Sequence, residues 1–599
     1  MTGFRAESLW AAATGAALLI WPLAVAGQPT DSRPAQGPPV ALAAGAQPPA
    51  APSDAASTTG IQVRSLGTVD GPRLGLLDAT NGGLGSDIWQ DSQRERIEEM
   101  FKRLPLASTV PSIRGLSRRL ILTKADAPSG DAGQAFTSVR LKALLDAGLI
   151  DDAAALAAKA VPKNDPELSR LVADALLFGG RLGDACGDAT NMRLESSDGF
   201  WIKLRAFCYG ASGDTAALDL TRAVMAAEKI DNKAFETLLD DFVSHRSAPP
   251  PHLTNPNSLE VALLVAAGLA VDPGWSERLG MPASVSALRD PKDPPAQRLD
   301  AAEDVVRAGA LTTADLAAMC DAQTYSPDQL ADAAATAPTL PFLAAQALIR
   351  QAVRSATDPG VKKKLLFEAM ALAYGTNLLP VGAQLQGSAA SAVIPNRADR
   401  SHAALMSTAL MLSGRADAAA RWYDTLDLNS EADKPLIRLM QVELDLVAPD
   451  AARDLEVKGA LSWFAAEATA PQSAGDDAAK TNAYLVLGLY DSLGSGLPPG
   501  AQVAMTQLSA QQWQGRHPGA EVTKLLDVAR SDSGGRGEAI LAMLDFIGPE
   551  GTADVAPDAI IAFVRSLEAL GYDHAARELA ADAILLHHAR VASSQASRP

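Results

Sequence analysis

Aromatic side chains are scarce in this 599-residue chain, at 5% against 47% for all hydrophobic residues. The apolar content is therefore mostly Ala, Leu and Val, which suits close-packed helices better than sheets. Histidine and cysteine are scarce too, at seven and three residues. No His pairs with another at i,i+4 or stands beside a Cys. His574, His587 and His588 share one terminal region, but 13 or 14 residues of helix would hold His574 roughly 20 Å from the other two. No metal site is expected. The chain also lacks a Gly-rich phosphate loop with Lys-Ser/Thr, a His-Glu-x-x-His helix and a Gly-x-Ser-x-Gly elbow. Ser495 has Gly496 after it but no glycine two residues before it, and reads as part of a helix-ending loop. No catalytic residue and no cofactor is expected. Basic residues are outnumbered, 52 against 70, for a net charge of 52 − 70 = −18. An acidic body repels nucleic acid and anionic lipid and favours basic or neutral partners.

After the first 26 residues no run is long and apolar enough to span a bilayer. Residues 1–26 themselves have the form of a secretory signal: Arg5, an apolar stretch from Leu9 to Val25, and the small-x-small site Ala24-Val25-Ala26. The stretch is long enough to serve instead as an uncleaved anchor over residues 9–26, the one case in which the chain touches a membrane. Either way the remainder is exported, and no Cys follows for lipid attachment. The expected location is periplasmic or secreted, in a bacterium. Residues 27–60, rich in Pro, Ala and Gly, have too little bulky apolar surface to offset ordering and read as a disordered linker.

What is present is a recurring turn. Gly is followed five positions later by Ala at Gly148/Ala153, Gly180/Ala185, Gly309/Ala314, Gly414/Ala419 and Gly571/Ala576, with a looser copy at Gly213. Each copy ends one helix-period stretch and opens another. Gly148, Gly180 and Gly213 stand 32 and 33 residues apart. These units resemble tetratricopeptide-type α-solenoid repeats. In that family a Gly ends the first helix and a small residue lets the second pack closely. The best match is Ser413-Gly414 to Ala419, with Trp422 and Tyr423 supplying the aromatic of the second helix. The family's Trp and Tyr on the first helix are missing, and a repeat-ending Pro appears only sporadically, as at Pro162.

The fold class expected is all-α, an α-solenoid of stacked helical hairpins. A helical capping region spans 61–135, with one helix from about Ser86 to Arg103 and another from about Ile113 to Thr123. In the first, Trp89, Ile97, Met100, Phe101 and Leu104 share a face, and Glu98/Lys102 and Glu99/Arg103 form i,i+4 pairs opposite. Clear repeats fill 136–245, an irregular helical block 259–377, and renewed repeats 401–590. Residues 591–599 form a polar tail. Breaks are expected at 244–258, 290–295, 378–400 and 468–477. Asp78 to Asp87 has the oxygen content of a calcium loop but not its alternation, and reads as a turn into a helix. Lys362-Lys363-Lys364, and Arg114 with Arg118-Arg119, read as solvated basic faces.

Cys186 follows a repeat turn and Cys208 lies on the next helix. Consecutive helices of such a stack touch, and an oxidising compartment permits a disulfide between them. Cys320 is left over as a core residue. Solenoids mostly bind rather than catalyse. The leading expectation is thus a non-enzymatic periplasmic scaffold or adaptor that binds protein or peptide segments. Two others stand beside it: a peptidoglycan enzyme or accessory factor resembling the superhelical lytic transglycosylases, and a structural envelope spacer.

Overall fold

Proline and short polar residues set where helices begin. Pro111, Pro166, Pro295, Pro359, Pro499 and Pro557 stand in first turns, where the N–H has no intrahelical acceptor to lose. Asn257, Thr312 and Ser326 exchange capping bonds with Glu260, Asp315 and Gln329. The computed structural model describes residues 73–130, 135–160, 165–191, 199–230, 232–246, 252–253, 255–269, 279–290, 292, 294–449, 455–470, 477–531 and 534–596. Among these it contains 28 α-helices. The only β-type pairings among them are isolated bridges, such as Leu77 with Thr123. The protein is all-α. The signal, the linker and Pro162 lie outside the described residues.

Successive helices stack. Phe136–Asp146 packs on Ile150–Ala157, that helix on Pro166–Phe178, and the series runs on through Leu182–Asn191 and Gly199–Ser212. A second run joins Phe342–Ser355, Pro359–Gly375, Leu379–Ser391, Ala403–Leu412 and Ala416–Tyr423 in the same way. One apolar cluster extends from Leu84 to Leu585. Trp89, Ile97, Met100, Phe101 and Leu104 all belong to it, as their spacing implies.

The N-terminal helices do not stand at a free end. A solenoid cap covers one terminal repeat; here Arg94–Phe101 packs on Arg536–Ile547, and Pro111–Leu122 packs on Asp573–Ala596. The backbone N–H groups of Gly535 and Gly537 donate to the carbonyls of Gln90 and Ile88, each at 2.8 Å. Tyr572 donates to the Leu84 carbonyl at 2.8 Å, and Ser112 N–H to Asp582 Oδ2 at 2.7 Å. Arg96 bridges Glu521 and Glu538, and Arg536 pairs with Asp87. A Cβ at Gly537 would stand 2.6 Å from the Trp89 ring, so the approach needs glycine there. The helical series therefore closes on itself, with the first helices forming the seam. Arg140, fully buried, ties the same region together by donating to the carbonyls of Leu74, Ile121 and Thr123.

Several boundaries differ from the sequence reading. Helix Leu379–Ser391 occupies most of the expected 378–400 break, because Pro380 sits in a first turn and starts a helix there. The last helix continues to Ala596 and absorbs most of the 591–599 tail. The first helix begins only at Arg94, after turns over 86–91. Glu98 pairs with Arg94, not Lys102, which reaches back to Glu99; the Glu99–Arg103 pair is present at 3.7 Å.

Candidate functional site

The repeat turns share one hydrogen-bond geometry. Gly148, Gly180, Gly213, Gly309, Gly414 and Gly571 all have φ between 69° and 76° or, at Gly571, 79°, the left-handed region that glycine enters without a Cβ penalty. In each copy the residue after the glycine donates to the carbonyl five positions before it, at 2.7–3.1 Å. This is the Schellman closure of a helix C-terminus. Ala153, Ala185, Ala419 and Ala576 are wholly buried, as close helix packing requires.

Ala314 departs from the pattern and is exposed. The helix after Gly309 starts at Thr313 rather than two residues past the glycine. The shift carries Ala314 to the surface and turns Leu316 inward instead. A further copy was not visible as a Gly pattern. Asn377, at φ 59°, makes the same turn, with Leu378 N–H donating to Ala373 O at 2.8 Å. Gly382 fills the small-residue position, where a Cβ would meet that of Ala373 at 2.5 Å. Asn tolerates the left-handed region better than most residues, which is the one sequence signal that could have found it.

The structure brings Cys186 and Cys208 together as a disulfide, with Sγ atoms 2.01 Å apart. The bond ties helix Leu182–Asn191 to Gly199–Ser212. That second helix is the platform for Thr215–Ala227, whose main packing partner it is. Asp214 caps Thr215–Ala227 by accepting from Ala217 N–H at 3.0 Å. Leu218, Thr221 and Met225 face the platform and are buried. The opposite face is apolar as well. Ala216, Leu220, Ala223, Val224 and Ala227 are exposed, Leu220 by 68% and Val224 by 40%. At 100° per residue these five fall in one stripe about 100° wide. A helix apolar on two sides normally lies between two others; this one has its platform on one side and open surface on the other.

The chemistry-bearing residues are dispersed. Among the described residues no three His, Cys, Asp or Glu converge on a possible metal position. His402 stacks on Phe367, His574 pairs with Glu578, and His587 meets Asn482 at 2.8 Å. Burial pushes the Cys320 thiol up to about 12, opposing thiolate formation. Ser495 closes a helix end, its N–H donating to Tyr490 O at 3.2 Å. Asp78 accepts from the Thr80 N–H and hydroxyl within a tight turn. Lys363 pairs with Asp399 at 2.6 Å.

The fold thus defines an all-α protein of stacked helices with a closed helical series and, on Thr215–Ala227, an exposed apolar stripe. Compared with protein-family models, curated proteins and solved structures, the chain matches none of them. Among the described residues no helix is long and apolar enough to cross a membrane.

Proposed function

We propose that the protein is a non-catalytic scaffold or adaptor of the bacterial periplasm, built from tetratricopeptide-like helical pairs, which holds an amphipathic helix of a partner protein on Thr215–Ala227. The 32- and 33-residue turn spacing, the Schellman turns and the packed alanines support the repeat reading. The observation that carries the functional reading is the second apolar stripe, Ala216 to Ala227. The occupant is a helix because the buried face of Thr215–Ala227 is itself covered by a helix, Gly199–Ser212, and because the stripe runs about three turns, roughly 16 Å. Small residues with two larger anchors match close helix–helix packing. The net charge of −18 favours a partner helix with neutral or basic flanks. The disulfide beneath would hold the platform rigid in an oxidising compartment, and preorganisation lowers the ordering cost of binding.

The test is crosslinked capture from the cell envelope with wild-type protein and with the double variant Leu220→Glu/Val224→Glu. Both positions are exposed, so the variant should keep its helical content and urea midpoint. It should lose the captured species. Equal capture by both proteins would contradict the helix-face reading. Capture by neither would favour the structural spacer.

A further inference from the structure

Pro111–Leu122 carries three arginines, and two of them are engaged. Arg118 makes a two-pronged pair with Asp152, both contacts at 2.6 Å. Arg119 donates to the Gly82 carbonyl at 2.7 Å. The third, Arg114, has no hydrogen-bond or ion-pair partner for its guanidinium among the described residues. It is nonetheless partly buried, lining a narrow cleft whose enclosed space is only about 20 Å³. Burial and the like charge of Arg118 both push its pKa down, so no carboxylate offsets the cost of desolvating it. A half-buried guanidinium left in that condition is unusual, because buried charges are normally paired.

The cleft lies where three stretches of chain meet: the N-terminal helix, the turn after Gly309 and helix Leu379–Ser391. Its polar wall includes Thr109, Thr313 and Gln384. Thr313 donates its hydroxyl to Gln384 Oε1 at 2.8 Å, which orients the Gln384 amide and leaves its NH₂ group to donate elsewhere. Leu316 and Val381 form apolar wall. The nearby carboxylate Asp315 is engaged by Arg289 at 2.8 Å and by the Thr312 hydroxyl at 2.7 Å.

We propose that this cleft binds the carboxylate end of an aliphatic ligand, with Arg114 as its ion-pair partner and Thr109 and Gln384 as further donors. A planar guanidinium matches a carboxylate through two parallel N–H···O bonds. One uncompensated cation suits a monoanion, and the strongly acidic chain disfavours a phosphate dianion. The apolar wall takes the carbon chain next to the carboxylate. The carboxylate can belong to a free short-chain acid or to the C-terminus of a peptide. The cleft's lining means that such a ligand touches helix Pro111–Leu122 and the helices between 295 and 391 at once. This site is separate from the Thr215–Ala227 face and does not depend on it.

Isothermal titration of the full chain with hexanoate, hexanamide, the tripeptide Ala-Ala-Leu and its C-terminal amide tests the assignment. At least one of the two acids should bind saturably, and its neutral amide at least tenfold more weakly. Tighter binding of the tripeptide marks a peptide terminus as the source; tighter hexanoate marks a free acid. Arg114→Gln should weaken the acid at least tenfold, and Arg114→Lys should retain part of it. Because the guanidinium has no internal partner, Arg114→Gln should melt at or above the wild-type temperature without ligand. Val381→Trp should block binding by filling the apolar wall with the charge intact. No saturable binding of either acid, equal affinity for acid and amide, affinity indifferent to Arg114→Gln, or tighter binding of inorganic phosphate would each overturn it.

Discussion

Replacing Asp582 with Asn probes the seam directly. Asp582 lies on the last helix and is only 8% exposed. Its carboxylate accepts from Ser112 N–H in the first turn of Pro111–Leu122, across 470 residues of sequence. Burial, opposed by the Ser112 hydrogen bonds and aided by Glu578, pushes its pKa up from 3.8 to about 6. The folded chain therefore holds this proton more tightly than the unfolded chain. Stability from the group is fully present below pH 3.8 and is lost as pH rises through about 6. Two pKa units at about 1.4 kcal/mol each give a swing of about 3 kcal/mol. Asn keeps an acceptor for Ser112 and removes the titration. Any offset from the amide's own hydrogen bonding is independent of pH. Urea unfolding followed by circular dichroism from pH 4 to 8 should show the variant gaining about 3 kcal/mol on the wild type across that range. Asp582→Ala should instead lose about 1 kcal/mol at every pH relative to Asn, for want of the cap. A wild-type-to-Asn difference that stays constant with pH, or that moves against the variant as pH rises, would refute a buried Asp582 at the seam.

Non-reducing peptide mapping of oxidised protein should recover Cys186 linked to Cys208 with Cys320 free, and reduction of this loop of 22-residue separation should cost about 3 kcal/mol. Recovery of both as alkylated thiols would rule the bond out. Gly414→Ala meets open space and should cost about 1–2 kcal/mol for the left-handed backbone alone. Gly309→Ala adds a Cβ 2.4 Å from the Ser108 backbone and should cost about 1–3 kcal/mol more, so equal urea midpoints would contradict the close approach. N-terminal sequencing of envelope-purified protein should begin at or near Gly27. An intact Met1 in membranes would mean an anchor, and full-length cytoplasmic protein would defeat export.

Local features of the fold were legible because local physics dictates them. A glycine between two helix-period stretches marks a left-handed turn wherever it occurs, and a small residue five positions on packs when the next helix starts on schedule. After Gly309 the capping box of Thr312 and Asp315 delays that start, and Ala314 loses its place inside. Asn377 hid a turn because Asn makes it without the glycine signature. The Cys186–Cys208 proximity followed from neighbouring helices in a stack. The seam was not legible. Pairs such as Ser112 with Asp582 and Asp87 with Arg536 lie 470 and 449 residues apart, and no periodicity links such positions. The isolation of Arg114 was hidden for the same reason. In sequence it is one of three similar arginines, and only the fold decides which of them finds an acceptor. The open face of Thr215–Ala227 was likewise indistinguishable from core, since an apolar stripe reads the same whether or not something covers it.

The most direct test of the functional account is a photo-crosslinking amino acid at Leu220, activated in intact envelope of the producing cell. A discrete crosslinked species is predicted, mapping to an amphipathic helical segment of one partner protein and absent when the same probe replaces exposed Asp328. A Leu220 probe that yields no species beyond those seen from Asp328 would contradict the claim that this face holds a partner helix.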